Sequence, residues 1–201
     1  MRYRLVLASA SSGRLATLRA AGLDAEVLVS GVDESAFAAA GPAALAQALA
    51  VRKCRTVSGR LAPTGPTLVV GCDSVLELDG LAYGKPADAV EAVARWRRMR
   101  GRSGVLHSGH CVRLLDSGAV SERQATGSTV VHFAELSDAE IEAYVRTGEP
   151  LQVAGAFTID GRGAPFVRAI AGDPSNVVGI SLPLLRTLLA GLGVAWPDLW
   201  A

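Results

Sequence analysis

The stretch from Leu5 to Arg14 constrains the fold of this chain more than any other. Leu5-Val6-Leu7 is a short apolar run of β-compatible residues. Ala8-Ser9-Ala10-Ser11-Ser12-Gly13 breaks it with small and hydroxyl-bearing residues, and Arg14, Leu15 and Leu18 resume at helical spacing. That pattern reads as strand, tight loop, helix. A helix begins with N–H groups that have no intrahelical acceptor, so serine hydroxyls and an arginine at its start suit an anion, most often a phosphate. The same residues also suit an ordinary polar helix cap.

The rest of the chain alternates in the same manner. A second strand is expected over Ala25 to Val29, and Pro42 opens a long Ala- and Leu-rich helix over roughly 42–58. Leu68-Val69-Val70 reads as an interior strand that delivers Gly71-Cys72-Asp73-Ser74 at its end. Val75 to Leu78, Asp79-Gly80 and Leu81 to Tyr83 form a hairpin signal with a type I′ turn. Asp88 to Glu91 resembles a capping box, followed by an apolar stripe of Ala89, Val93 and Trp96. Residues 105–115 and 119–133 read as two long antiparallel strands, and Ser137 to Glu140 is a full capping box. A strand over Phe166 to Ile170 and a last helix opened by Pro183 complete the pattern. Strands and helices mixed in this way predict an α/β protein with a mixed sheet.

Composition narrows the function classes. With 201 residues, half of them hydrophobic, the chain can bury a proper core as one domain or as two lobes sharing one sheet. A net charge of +1 gives no broad electrostatic case for nucleic acid, and no apolar run reaches the roughly 20 residues a bilayer demands. Cys54, Cys72 and Cys111 are odd in number and scattered, which points to reduced thiols in the cytosol. The arginines between Arg95 and Arg102 read as a solvated helix face rather than an RNA contact. His107 and His110 stand three apart in a strand, hence on opposite faces, which argues against a zinc pair.

The candidate chemistry lies in the first half of the chain. Asp73 ends an apolar strand, where a carboxylate can bind a divalent cation or orient a water. Glu34 follows the second strand, at the kind of strand end where α/β folds place a ligand crevice. Lys53 sits in the long helix, and Pro86 restricts Lys85 to an extended backbone from which its ammonium projects. Together with Ser9 and Arg14, these residues suit metal-assisted hydrolysis of a phosphoanhydride: cations and N–H groups neutralise a polyphosphate, and carboxylates hold Mg²⁺ or activate water.

In order and spacing, these segments resemble the Maf family of nucleoside triphosphate pyrophosphatases. The resemblance rests on Leu7-Ala8-Ser9-Ala10-Ser11 with Arg14, Val32-Asp33-Glu34, Lys53, Val70 to Val75 and Gly84-Lys85-Pro86, then Gly148-Glu149-Pro150, Ala154 to Phe157 and Gly172 to Gly179. It implies the inosine-triphosphatase-like fold, a mixed twisted sheet with flanking helices. It further implies one domain over 1–201, in two lobes around a central cleft, the second lobe spanning about 103–170. The implied activity is hydrolysis of a nucleoside triphosphate to monophosphate and pyrophosphate with Mg²⁺ or Mn²⁺, by a cytoplasmic homodimer. Asp73 falls on the family's proton acceptor; Glu34, Lys53 and Lys85 fall on other catalytic positions, Ser9 and Arg14 on substrate-binding ones, and Glu34 and Asp73 are the implied metal ligands. The family name, drawn from septum formation, leaves open a nucleotide-binding regulator of cell division without essential catalysis. The chain departs from the common Ser-Pro-Arg-Arg pattern, with Ser11-Ser12-Gly13-Arg14 in its place. Ser74 and Asp160 differ from the Thr and Gln of the uridine/thymidine-selective branch, and Gly13 from the bulky residue of the methylguanosine branch.

Overall fold

A computed structural model describes residues 3–34 and 39–200. Strand β1 (Arg4–Leu7) leads into helix α1 (Ser12–Ala20), and β2 (Glu26–Val27) follows. Helix α2 (Pro42–Ser58) precedes β3 (Thr67–Leu78), β4 (Leu81–Tyr83) and α3 (Ala89–Met99). The long strands β5 (Ser103–Asp116) and β6 (Ala119–Phe133) come next, then α4 (Asp138–Arg146), β7 (Val167–Ala171), α5 (Pro174–Val178) and α6 (Leu182–Ala190).

One mixed sheet holds every strand, in the order β2-β1-β3-β5-β6-β7, with β4 also on β3. β1 runs parallel to both neighbours, and everything from β3 onward is antiparallel. Two hairpins turn on left-handed residue pairs, Asp79 (φ 55) with Gly80 (φ 75) and Ser117 (φ 51) with Gly118 (φ 83), as type I′ geometry requires. Ser137 and Glu140 complete their capping box. At α3 the box is half formed: Asp88 caps the Glu91 N–H, but the Glu91 carboxylate reaches the N–H of Ala87 instead.

Three expectations are corrected. The second strand spans only Glu26–Val27, because the carbonyls of Val29 and Ser30 bond to Arg60 rather than to a strand. The stripe that α3 buries is Ala92, Trp96 and Met99, one turn later than Ala89, which is exposed. Trp96 there meets Phe133, Tyr144 and Phe166 edge-on. Finally, Asp73 does not end a strand: β5 pairs with β3 from Thr67 to Glu77, so β3 runs on through the aspartate.

The opposite edge of β3 is interrupted. β1 pairs with Thr67 to Val70, and β4 pairs with Leu76 to Leu78. Gly71 to Val75 lies between them, with no strand among the described residues alongside on that edge. Ser9, Arg14, Glu34, Lys53 and Asp73 lie around this gap, at the carboxyl end of β1.

Candidate active site

Helix α2 crosses the sheet at two glycines. A Cβ on Gly71 would run into the Ala50 carbonyl oxygen and stand 2.7 Å from the Cys54 Cβ; one on Gly109 would strike the backbone of Ala46. Gly109 is the cross-strand partner of Asp73. Two bare positions therefore let the helix backbone settle onto the sheet, which carries Lys53 down to the aspartate. Lys53 Nζ lies 2.5 Å from Asp73 Oδ1 and 2.6 Å from Glu34 Oε1. The Lys53 and Asp73 side chains are 10% and 9% exposed, whereas that of Glu34 is 56% exposed. A buried acid–base pair thus has one wet carboxylate at its mouth.

Burial pushes the Asp73 carboxyl above its usual value. Lys53 and Arg14 pull it down, and the Glu34 charge pushes it up again. The result is an aspartate more basic than an exposed one, although it touches an ammonium.

On the other side of the strand, Arg14 fills the gap. Alternation along β3 turns Ser74 away from the face that carries Asp73. Arg14 Nη1 donates to Ser9 Oγ (2.9 Å) and to the carbonyl of Cys72 (2.9 Å), Nη2 to Ser74 Oγ (3.0 Å), and Nε to the Gly179 carbonyl (2.8 Å). Ser74 and Ser108 share a bond of 2.8 Å, and Ser108 donates to the Asn176 carbonyl. A guanidinium has five N–H groups, and four go to protein acceptors here, so one remains. Arg14 bonds to the strand along this edge and fixes Ser9, and in this arrangement one N–H is left over for a further acceptor. Ser11 Oγ caps the Arg14 N–H, and the Ser11 N–H donates to Ser9 Oγ. The N–H groups of Ser12 and Gly13 have no acceptor among the described residues and point out of the start of α1.

Lys85 is exposed, and among the described residues its ammonium has no hydrogen-bond or ion-pair partner. Its backbone is held: Arg95 donates to the carbonyls of Gly84 (2.5 Å) and Lys85 (3.4 Å) and pairs with Glu91. Arg95, which reads in the sequence as part of a solvated face, is therefore buried and structural. Its neighbours are paired as well, Arg97 and Arg100 with Asp138 and Arg102 with Asp79. His107 and His110 have protein partners at both ring nitrogens. His110 Nδ1 bonds to the Ser108 carbonyl and Nε2 accepts the Ser181 N–H, while His107 joins Ser128 and Glu77. Asn176 is buried and ties the Leu106 carbonyl to Thr129. Sequence reasoning offers no sign of Arg60 or Ser108 and reads Arg95 as solvated, because an arginine or serine that binds carbonyls across the fold leaves no local signature.

Comparison with known proteins identifies the family. The family model described as Maf-like protein matches residues 4–192. A Streptomyces coelicolor protein named nucleoside triphosphate pyrophosphatase is 60% identical over 200 residues, covering all of this chain and 96% of that protein. A Salinispora tropica protein of the same name is also 60% identical over 200 residues, covering 98% of this chain and 88% of that protein. Among solved structures, a nucleoside-triphosphatase/dITP/XTP pyrophosphatase from Mycobacterium abscessus gives a TM-score of 0.38 at 16% identity, covering 96% of this chain and 94% of that one, a likeness that carries no argument. Fold and site define a mixed α/β protein with a buried acid–base pair beside an anion-suited helix start. The chain belongs to the Maf-like protein family.

Proposed function

We propose that this chain hydrolyses nucleoside triphosphates to the monophosphate and pyrophosphate. The observation that carries the reading is the buried Asp73–Lys53 pair, with Asp73 made more basic by burial, at an open strand edge beside the start of α1. Asp73 is the proton acceptor. It takes a proton from water as the water oxygen bonds to the α-phosphorus; the bond from that phosphorus to the α–β bridging oxygen breaks, and pyrophosphate leaves. Lys53 holds the Asp73 carboxylate in place and keeps it available as a base. The free N–H groups at the start of α1, with Ser9 and the Lys85 ammonium, bind the triphosphate tail. Arg14, held against the strand by four hydrogen bonds, offers its remaining N–H to the same tail.

A divalent cation, Mg²⁺ or Mn²⁺, fits the donor set. Glu34 and Asp73 bring two hard carboxylate donors to one point, now bridged by the Lys53 ammonium. Among the described residues no three such side chains gather into a cage. Two carboxylates completed by phosphate oxygens and water are the usual setting for Mg²⁺. When bound, the cation offsets charge that develops on the phosphates. A homodimer in the cytoplasm is proposed on the family resemblance, and sedimentation equilibrium distinguishes 20.7 kDa from twice that mass. No helix among the described residues is long and apolar enough to cross a membrane.

Product analysis over a panel of common and modified triphosphates tests the activity. One pyrophosphate per monophosphate is expected. Orthophosphate with a diphosphate, or nucleotide binding with no turnover on any member, overturns the reading; the second result is what a non-catalytic regulator would give.

A further inference from the structure

We propose that Arg60 is a positioning residue that sets the place of Glu34 by holding the backbone of the loop on which Glu34 stands; this rests on the function proposed above. Glu34 ends the described part of the segment that follows β2, and its side chain is 56% exposed, so packing does not hold it. The segment leaves the sheet soon after Leu28, whose N–H still bonds to the Leu7 carbonyl. Beyond that point Arg60 grips it with both guanidinium arms. Nη2 donates to the Ser30 carbonyl at 2.7 Å and Nη1 to the Val29 carbonyl at 3.2 Å. Ser30 is buried, its Oγ accepts the Val32 N–H at 3.5 Å, and Gly31 between them turns the chain at a φ of 66°.

The tether and the target share one support. Lys53 and Arg60 stand seven positions apart, in the last turns of α2 and just past its end, where the Arg60 N–H still bonds to the Val57 carbonyl. Lys53 takes the Glu34 carboxylate, and Arg60 takes the backbone four and five residues before it. Glu34 is thereby referenced to the helix that also delivers Lys53 to Asp73. A guanidinium suits this task, because its planar fork reaches two successive carbonyls that a single ammonium cannot bridge in the same way. Displacement of a positioned group by about 1 Å can lower turnover by up to a hundredfold.

A double-mutant cycle tests the proposal. Arg60→Ala, Arg60→Lys, Glu34→Gln and Arg60→Ala/Glu34→Gln are compared with wild type by kcat and KM, together with amide hydrogen exchange over residues 28–34. Arg60→Ala is expected to lower kcat/KM about tenfold, with the loss in kcat, and Arg60→Lys, which can hold one carbonyl but not bridge both, to restore only part of it. In the Glu34→Gln background, Arg60→Ala is expected to change nothing further, and exchange over 28–34 quickens in the Arg60→Ala protein while its melting point stays close to that of wild type. Additive losses, a fully active Arg60→Ala protein or a fully active Glu34→Gln protein overturns the proposal. A wild-type chain that hydrolyses no triphosphate defeats the proposed function instead. Exchange then still reads the tether, and unchanged exchange in Arg60→Ala refutes it.

Discussion

At the scale of single residues, burial decides which groups can do acid–base work. Asp73 and His110 are both buried in the sheet, yet their environments drive them in different directions of use. Asp73 faces a cation and lies at an open edge. His110 is locked between the Ser108 carbonyl and the Ser181 N–H, and burial lowers its pKa to about 4. The unfolded chain protonates this histidine near pH 6.5, whereas the folded one resists until about 4. Below pH 6.5 the unfolded state therefore binds more protons, and stability falls as pH drops through the window from 6.5 to 4. That window is worth on the order of 3 kcal/mol at full protonation. The His110→Gln protein keeps an acceptor for Ser181 and does not titrate. Its melting temperature is expected to fall less between pH 6.5 and 4 than that of wild type, and equal slopes for the two proteins would remove His110 from the acid sensitivity.

At the scale of elements, the contact between α2 and the sheet carries the site. The Gly71→Ala protein places a methyl group against the Ala50 carbonyl and the Cys54 side chain, so the helix has to lift or the strand has to bend. Overpacking of this kind costs about 1–3 kcal/mol, and here it also withdraws Lys53 from Asp73. Urea denaturation and turnover measured together should both fall, and a loss of stability with full activity would show that the Lys53–Asp73 contact is dispensable. The elements themselves were largely readable. Pro42 and a run of good helix formers predict the 42–58 helix, and Asp79-Gly80 and Ser117-Gly118 mark their hairpins, because those signals are local. The continuation of β3 through Asp73 was not readable, since it depends on how far β5 pairs along it. The contacts that hold Arg14, and the burial of Arg95, escape the sequence for a related reason. Their partners, Gly179 and Gly84, are brought close only by the completed fold.

At the scale of the whole molecule, the site is a consequence of sheet topology. β1 arrives parallel to β3 and stops at Leu7, β4 folds back no further than Leu76, and the strand edge between them is left to the Arg14 side chain from α1, which the Gly179 carbonyl after α5 anchors. Candidate residues far apart in sequence, from Ser9 to Ser74, meet around that interruption because the parallel strand and the antiparallel hairpin share one edge of β3. A cation held jointly with substrate rather than by a protein cage has a thermodynamic consequence. Chelation is expected to abolish turnover while it moves the melting temperature by less than about 1 °C, because an ion that the free protein does not bind adds nothing to its stability. A drop of several degrees on chelation would reveal an ion bound by the protein alone.

The most direct test is the turnover number of the Asp73→Asn protein on the best triphosphate of the panel, measured beside a melting curve. The amide keeps the size of the carboxylate and removes the base. Turnover is expected to fall by about two orders of magnitude or more, with cooperative unfolding retained. A folded Asp73→Asn protein that turns over within about threefold of wild type would contradict the account.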